Sequence, residues 1–135
     1  MLKEFPVITQ ERQDLYLITE QVQQAITESG VKQGICVLFS PHPTVALPII
    51  SSLAPPTGKV LKFKTPRLAP TRLDFIHIVD TPSDAAGHIK SSLIGNQLTL
   101  IIQDSKVVLG SSQGIFFWEY DGPRKRKVLV KIIEG

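Results

Sequence analysis

The sequence of 135 residues has one cysteine, few aromatic side chains and no long apolar run. The single cysteine, Cys36, excludes a disulfide within the chain and a thiolate-rich zinc site, and its apolar neighbours predict a buried side chain. Apolar stretches such as 114–118 fall far short of the ~20 residues that a membrane-spanning helix needs. Glu4 and Pro6 interrupt the N-terminus where a signal peptide would be apolar, so we expect a cytoplasmic protein without a membrane segment.

A strong charge of one sign is absent as well. The net charge is +3 and 42% of the residues are hydrophobic, which excludes a disordered chain. A length of 135 residues is typical of one domain with a sizeable core. We therefore predict a single domain over residues 1–135.

Two segments have helical periodicity and signals at their ends. The first is 19–29, with Thr19 as the predicted N-cap and Gly30 placed to end the helix. The second is 83–93, with Ser83 as the predicted cap and Gly95 just beyond it. The apolar stripe predicted to face the core in this second helix consists of Ala85, Ile89 and Leu93.

Most of the remaining chain has the composition of short strands bounded by Gly, Pro, Asn and Asp. The predicted strands are 15–18, 35–40, 45–50, 73–79, 97–103, 106–109, 115–120 and 128–133. A tight hairpin is expected at 104–105 and a turn at 121–124. Because too few helices are available as crossovers between parallel strands, the fold class is α+β with a largely antiparallel sheet. The proline-rich segment 51–70 is either the rim of a functional site or a surface excursion.

Three histidines, His42, His77 and His88, are the candidate metal ligands. Their spacing matches no local metal motif, so separate surface or core histidines are the alternative. Three imidazoles without cysteine would form the open, catalytic type of zinc site. We therefore expect a divalent metal, most simply zinc, if the three converge.

Glu119 shares a strand face with Ile115 and Phe117, because residues alternate between the two faces of a strand. A carboxylate on an apolar face needs a partner or a role, and Arg124 is the candidate partner. The alternative places Glu119 at the solvent end of an edge strand. The basic run 124–127 is best explained by a solvated edge strand rather than by nucleic-acid binding, because alternation splits it between two faces.

Several blocks of the sequence together resemble the YjbQ-like family. They are His42 with Thr44, the segment 83–95 that contains His88-Ile89-Lys90-Ser91-Ser92-Leu93, the segment 110–115, and 119–124 with its Asp-Gly-Pro-Arg turn. The resemblance implies packed mixed or antiparallel sheets with two helices, assembled as a homotrimer with the histidines meeting near a subunit boundary. It also implies a metal-binding enzyme of uncertain physiological role, acting on a small phosphorylated or anionic molecule and showing weak thiamine-phosphate synthase activity.

The predicted site residues follow from these blocks. Asp84 lies four residues before His88, which places both on one helix face as an acid–base pair. Glu119 and Arg124 complete the predicted catalytic set. The ligand-binding residues are expected to be Thr44, Lys90, Gln113 and Arg124.

The chain also departs from the family pattern. Pro43 replaces a Thr or Ser, the strand after His42 reads Leu47-Pro48-Ile49-Ile50 where relatives have an Asn-Glu pair, and Gly87 precedes His88 in place of a His-x-His step. The aromatic residue of the family's Gly-Thr-Trp-Gln pattern is missing from 110–113. These departures support the alternative function, a trimeric protein that binds a small ligand or a partner without turnover.

Overall fold

The structure, a computed structural model, describes residues 1–52 and 82–135, and within these it describes all side chains except those of 82–84. The strand predicted at 73–79 and nearly all of the segment 51–70 lie outside the described residues. Along the described chain the elements are β1 (Leu2–Ile8), β2 (Asp14–Leu17), α1 (Thr19–Ser29), β3 (Gly34–Phe39), β4 (Val45–Ala46), β5 (Ile49–Ser51), α2 (Pro82–Ile94), β6 (Gln97–Gln103), β7 (Lys106–Val107), β8 (Gln113–Glu119) and β9 (Lys125–Glu134).

The strands form two antiparallel sheets. The first has the order β1-β9-β3-β6-β7, and in the second β8 pairs with β2, β4 and β5. The α+β class with antiparallel sheets is therefore confirmed. Neither α1 nor α2 has the length and apolar character of a membrane-spanning helix.

Strand β8 separates two apolar clusters. Ile115 and Phe117 enter the main core with residues from the first sheet and from α1, whereas Trp118 and Tyr120 form a smaller cluster with Ala46. This division confirms the predicted alternation along the strand. The main core also holds Cys36, and burial raises the pKa of its thiol to about 11.

Helix α1 has the predicted bounds but a different N-cap residue. Gly30 ends it in the left-handed region at φ +72°, a conformation that glycine adopts without a steric penalty. The predicted cap is wrong, because Ile18 occupies the N-cap position and Thr19 is the first helical residue. The Thr19 hydroxyl instead accepts a hydrogen bond of 2.9 Å from the Ile115 N–H and ties the helix to β8.

Helix α2 extends one residue beyond its predicted range at each end, so Ser83 lies inside it rather than at the cap. The predicted apolar stripe is correct at Ala85, which is buried, but wrong at Ile89 and Leu93, which are 39% and 63% exposed. The side chains that α2 buries are small or polar, namely Ala85, Ala86, Lys90 and Ser91. Small residues let the helix approach the sheet closely. Lys90, on the same face of the helix, then lies over the smaller apolar cluster.

Three strand predictions need correction. Strand β1 is absent from the predicted strands; its position at the edge of the first sheet tolerates the missing N–H of Pro6. Strand β9 is not an edge strand, since it pairs with both β1 and β3. The strand predicted at 45–50 is split into β4 and β5 around Leu47-Pro48, where Phe116 N–H donates to the Pro48 carbonyl at 3.0 Å.

Both predicted turns are present. Asp104 and Ser105 connect β6 to β7 with φ values of +52° and +64°, as a two-residue hairpin of the primed type requires. Residues 121–124 reverse the chain between β8 and β9. This second turn carries one side of the candidate site.

Candidate functional site

A buried ion pair joins the two sheets where β8 turns into β9. Arg126 Nε lies 2.9 Å from Glu119 Oε1, and Arg126 Nη2 lies 2.6 Å from Glu119 Oε2. Glu119 is 0% exposed. The alternative that places Glu119 at the solvent end of an edge strand is therefore wrong. The carboxylate has a partner as predicted, but that partner is Arg126 rather than Arg124.

Further donors saturate the Glu119 carboxylate. The Thr9 hydroxyl donates to Oε1 at 2.7 Å, and the Asp121 backbone N–H donates to Oε2 at 3.2 Å. Thr9 Oγ1 in turn accepts from the Arg124 backbone N–H at 2.8 Å. Glu119 thus holds both ends of the 121–124 turn.

Thr44 connects this network to helix α2. Its hydroxyl accepts a hydrogen bond of 2.9 Å from Arg126 Nη2, and its side chain is buried. A Cβ on Gly87 would lie 3.2 Å from Thr44 Cγ2 and 3.3 Å from Tyr120 Cβ. Glycine at position 87 therefore sets the close approach of α2 to β4 and β8.

Lys90 extends from α2 over the smaller apolar cluster. Its Nζ lies 4.9 Å from the centroid of the Tyr120 ring, and the residue is 1% exposed. Among the described side chains, which exclude those of residues 53–84, no carboxylate pairs with this ammonium group. Burial, followed by the positive charge of Arg12, lowers the pKa of Lys90 from 10.5 to about 8.

Two other polar groups of this cluster are buried without a hydrogen-bond partner in the described part of the chain. They are the Tyr120 hydroxyl and the Trp118 Nε1–H. The two rings are 5.2 Å apart between centroids. Burial raises the pKa of Tyr120, so its hydroxyl stays protonated and can donate.

The Arg124 side chain, in the 121–124 turn, is 55% exposed. Its Nε donates to the Asp121 carbonyl at 2.9 Å, and its Nη2 lies 3.1 Å from Asp121 Oδ2. Arg124 therefore pairs with Asp121 rather than with Glu119. Lys125 and Lys127 face solvent, as the alternation in β9 predicts.

His42 covers the end of β9 that extends beyond β3. Its Nε2 accepts a hydrogen bond of 3.1 Å from the Lys127 backbone N–H. Burial lowers the pKa of His42, and the charge of Arg126 lowers it further. Since Nε2 is an acceptor here, Nδ1 carries the proton of the neutral ring and is a donor.

Comparison with known proteins identifies the family. The profile described as "UPF0047 protein YjbQ-like" matches residues 3–135. The chain belongs to the YjbQ-like family. A UPF0047 protein of Methanocaldococcus jannaschii is 44% identical over 135 residues, which covers 98% of this chain and 94% of the relative.

Solved structures of similar proteins agree with the YjbQ-like assignment. A YjbQ/UPF0047 family protein from Clostridium acetobutylicum has a TM-score of 0.89 at 36% identity, covering 97% of this chain and 99% of that one. A protein of unknown function from Sulfolobus solfataricus, described as YbjQ-like, has a TM-score of 0.93 at 27% identity, covering 100% and 97%. The resemblance inferred from the sequence is therefore confirmed.

The YjbQ-like fold gathers some of the predicted site residues and separates another. Thr44 contacts the Glu119 network directly, and Gly87 brings α2 against Thr44 just ahead of His88 and Lys90. Gln113 begins β8, about 20 Å from Glu119 along a strand that rises ~3.4 Å per residue. Within one chain, Gln113 is remote from that network; its Oε1 accepts from the Gly110 N–H at 2.8 Å.

Two of the predicted residues, Asp84 and His77, are described only in part or not at all. Asp84 lies in the first turn of α2, and its side chain is outside the described residues. His77 is also outside them. His88 is half-buried on α2, and its carbonyl accepts a hydrogen bond of 2.9 Å from the Ser92 hydroxyl. Among the described residues no three His, Cys, Asp or Glu side chains cluster as a metal site.

The sequence analysis missed Arg126, Thr9, Trp118 and Tyr120. Alternation along β9 could have identified Arg126, because Arg126 lies on the same buried face of the strand as Val128 and Val130. Thr9 follows the unpredicted strand β1, so no sequence pattern placed it near Glu119. A satisfied network around Glu119 thus lies beside an unsatisfied group of donors around Lys90.

Proposed function

We propose that this YjbQ-like protein binds a small anionic molecule, most simply a phosphorylated one, in a site beneath helix α2. The observation that carries the proposal is Lys90, a cation buried to 1% exposure with no carboxylate partner in the described chain. Buried charges are normally paired, because an unpaired one forfeits its hydration. A bound anion supplies the missing partner.

The hydrogen-bonding groups beside Lys90 support an anion over a neutral or cationic ligand. Lys90 Nζ and Trp118 Nε1 are donors only, and the protonated Tyr120 hydroxyl is free to donate. Phosphate and carboxylate oxygens are the acceptors that such a set lacks. Arg124, oriented by Asp121, adds a guanidinium at the adjacent turn, and guanidinium groups bind phosphate in a bidentate manner.

A divalent metal, with zinc as the first candidate, is part of the proposal through His42, His77 and His88. His42 would have to release the Lys127 N–H to bind a metal, because the neutral ring that accepts at Nε2 carries its proton on Nδ1. Two histidines alone do not complete a site, so the fit also depends on His77. A metal held there would act as a Lewis acid toward the bound anion. Metal analysis of the purified protein, compared with His42→Ala and His77→Ala, tests this part.

We propose an enzyme rather than a simple binding protein, with secondary thiamine-phosphate synthase activity as its measurable reaction. In this proposal Asp84 and His88 exchange protons with the ligand, and Arg124 contacts it. Glu119 acts as a positioning residue, because its oxygens are already occupied by Arg126, Thr9 and Asp121. Turnover that is lost in both Asp84→Asn and His88→Ala supports the enzyme.

The alternative is binding without turnover. It is favoured by the apolar Leu47-Pro48 segment, where Leu47 is 1% exposed and offers no acid or base. Anion binding with no turnover by the metal-loaded protein would select this alternative.

We propose a homotrimer as the assembly. The outward face of the five-stranded sheet carries a row of exposed isoleucines on three adjacent strands, in which Ile35 pairs with Ile101 on one side and with Ile133 on the other. Ile89 and Leu93 expose a second apolar face on α2. Such surfaces are typical of subunit interfaces.

Calorimetric titration with inorganic phosphate tests the ligand. Wild-type protein should bind it, and Lys90→Met should weaken binding by at least about tenfold, since a charged hydrogen bond contributes roughly 1.5–3 kcal/mol. Lys127→Met, which removes an exposed lysine of the same charge, is the matched control. Equal weakening by both variants would indicate a diffuse basic surface and contradict the proposal.

A further inference from the structure

We propose that β9 binds a single-stranded nucleic acid on the face that points away from the main core. Three lysines of that face, Lys125, Lys127 and Lys131, form a lysine row. In this proposal the lysine row binds the phosphates, and the bases lie over Phe39 on the adjacent strand β3. Helix α2 lies against the second sheet, so this surface is separate from the anion site proposed beneath α2.

The strand order removes the structural explanation for these lysines. Lysines on an edge strand protect a sheet against pairing with another chain. That explanation does not fit β9, which lies between β1 and β3, and each residue of the lysine row has a register partner on β1. Alternation turns Arg126 inward to Glu119, but it also brings Lys131 onto the same face as Lys125 and Lys127. The basic run is therefore part of a longer row on an interior strand.

The spacing of the lysine row suits a linear polyanion. Along β9, ~7 Å separates Lys125 from Lys127 and ~14 Å separates Lys127 from Lys131. Cations in single file can follow the backbone of one nucleic-acid strand, as the charged grooves of single-strand-binding proteins do. A lipid surface would instead meet charges spread over a plane.

The lysine row has little internal counter-charge. Among the described side chains, the ion pairs leave out Lys125 and Lys131, and Lys127 Nζ lies 3.6 Å from Glu4 Oε2. The Lys127 and Glu4 side chains are both more than half exposed, and an exposed ion pair contributes little energy. Phosphate groups can therefore replace Glu4 at small cost.

Phe39 provides an aromatic surface beside the lysine row. It pairs in register with Leu129, which places its ring on the same face as the lysines and diagonally between Lys127 and Lys131. Phe39 is 38% exposed. Exposed aromatic rings stack on bases of any sequence, because every base has a π-face. We therefore expect binding that tolerates different sequences.

The width of the sheet favours a single strand over a duplex. The axes of β1, β9, β3 and β6 span ~14 Å, because neighbouring strands lie ~4.8 Å apart. The major groove of DNA is only ~12 Å wide, so this sheet cannot enter it with β9 at its centre. An unpaired strand can lie flat on the face. Ile133 of the isoleucine row is ~27 Å from Lys125 along β9, so the Lys125 end lies well away from the proposed subunit interface.

Fluorescence anisotropy with a labelled oligo(dT) of about 12 nucleotides tests the proposal, since this length is within the usual site size of such proteins. At about 50 mM salt the full-length protein should bind. The logarithm of the binding constant should fall against the logarithm of salt concentration with a slope of about −2, because each neutralised phosphate of a single strand contributes about 0.7.

Variants assign the binding to the lysine row and to Phe39. Lys125→Gln and Lys131→Gln should each weaken binding about threefold or more and make the slope shallower by about 0.7. Lys32→Gln, at an exposed position before β3, removes the same charge elsewhere and should change neither quantity. Phe39→Leu should weaken binding about fivefold or more and leave the slope unchanged, because it removes a stacking contact and no charge.

Four results would overturn the proposal. They are no binding at about 50 mM salt, equal weakening by Lys32→Gln and the two lysine-row variants, unchanged affinity in Phe39→Leu, and competition by poly-glutamate as strong as that by unlabelled oligo(dT) at equal charge. The last result would indicate a surface for acidic proteins. Binding to vesicles of phosphatidylcholine and phosphatidylserine without binding to oligo(dT) would assign the lysine row to a membrane surface instead.

Discussion

Glu119 and Arg126 form a bidentate ion pair that connects β8 of one sheet to β9 of the other, with N–O distances of 2.9 and 2.6 Å. Both side chains are buried, and Thr9, Thr44 and the Asp121 backbone N–H provide further hydrogen bonds. A buried ion pair adds little net stability, since desolvation opposes the attraction between its charges. Its role here is to fix the 121–124 turn relative to α2.

Removal of Arg126 alone should be severely destabilising. Arg126→Met leaves the Glu119 carboxylate buried without a counter-charge, which costs about 3–5 kcal/mol of unfolding free energy. The double variant Glu119→Leu with Arg126→Met should recover most of that loss, because no unpaired charge remains. Urea denaturation measures all three proteins, and Arg124→Met, at an exposed pair, should change stability by about 1 kcal/mol or less. An Arg126→Met protein as stable as the Arg124 variant would contradict this account.

The sequence predicted the faces of β8 correctly, because strand alternation depends only on local geometry. It could not select the partner of Glu119, because that choice depends on how the 121–124 turn returns the chain. Arg124 is nearer in sequence but remains in the turn, and Arg126 is the first basic residue on the inward face of β9. The partner of a buried charge is thus determined by the tertiary structure and not by nearness in the sequence.

Helix α2 illustrates the same limit. Its periodicity identified an apolar stripe through Ile89 and Leu93, and its bounds were predicted to within one residue. Periodicity alone, however, does not determine which face of the helix packs against the sheet. The small side of the helix, at Ala86 and Gly87, permits the closest approach to the sheet, so Lys90 is buried and Ile89 is exposed.

His42 should make stability depend on pH below neutrality. Its pKa in the folded protein is below the ordinary 6.5, so its contribution to stability is present above pH 6.5 and is lost as pH falls through the folded-state value. Protonation removes the Nε2 acceptor of the Lys127 N–H. With chelator present, His42→Gln should keep an acceptor and lack this loss in urea denaturation at successive pH values. Identical pH dependence in both proteins would exclude the role of His42.

The isoleucine row provides a test of the homotrimer. Ile101 is 60% exposed, so Ile101→Lys should cost a lone chain little but should place a charge in a subunit interface. Light scattering of the wild type should give the mass of three 14.9 kDa chains, and the variant should give a smaller mass. Gln21→Lys, at an exposed position of α1, makes the same charge change and should remain trimeric. A monomeric wild type at micromolar concentration would refute the assembly.

The unpaired charge of Lys90 should appear as a stability difference that varies with pH. The folded-state pKa of about 8 lies below the unfolded value of 10.5, so between these values the unfolded chain holds a proton that the folded chain has released. The free energy of unfolding therefore increases as pH rises from 8 to 10.5, by roughly 3 kcal/mol for such a shift. Burial raises the pKa values of Cys36 and Tyr120, which lowers the free energy of unfolding at high pH. Subtracting the pH curve of Lys90→Met from that of the wild type removes these two contributions. Without a bound anion, we expect Lys90→Met to be the more stable protein at pH 8 and to lose that advantage by pH 10.5, whereas the difference for Lys127→Met should stay constant. A pH-independent difference for Lys90→Met would mean that the ammonium group is already paired, and the anion site would lose its main support.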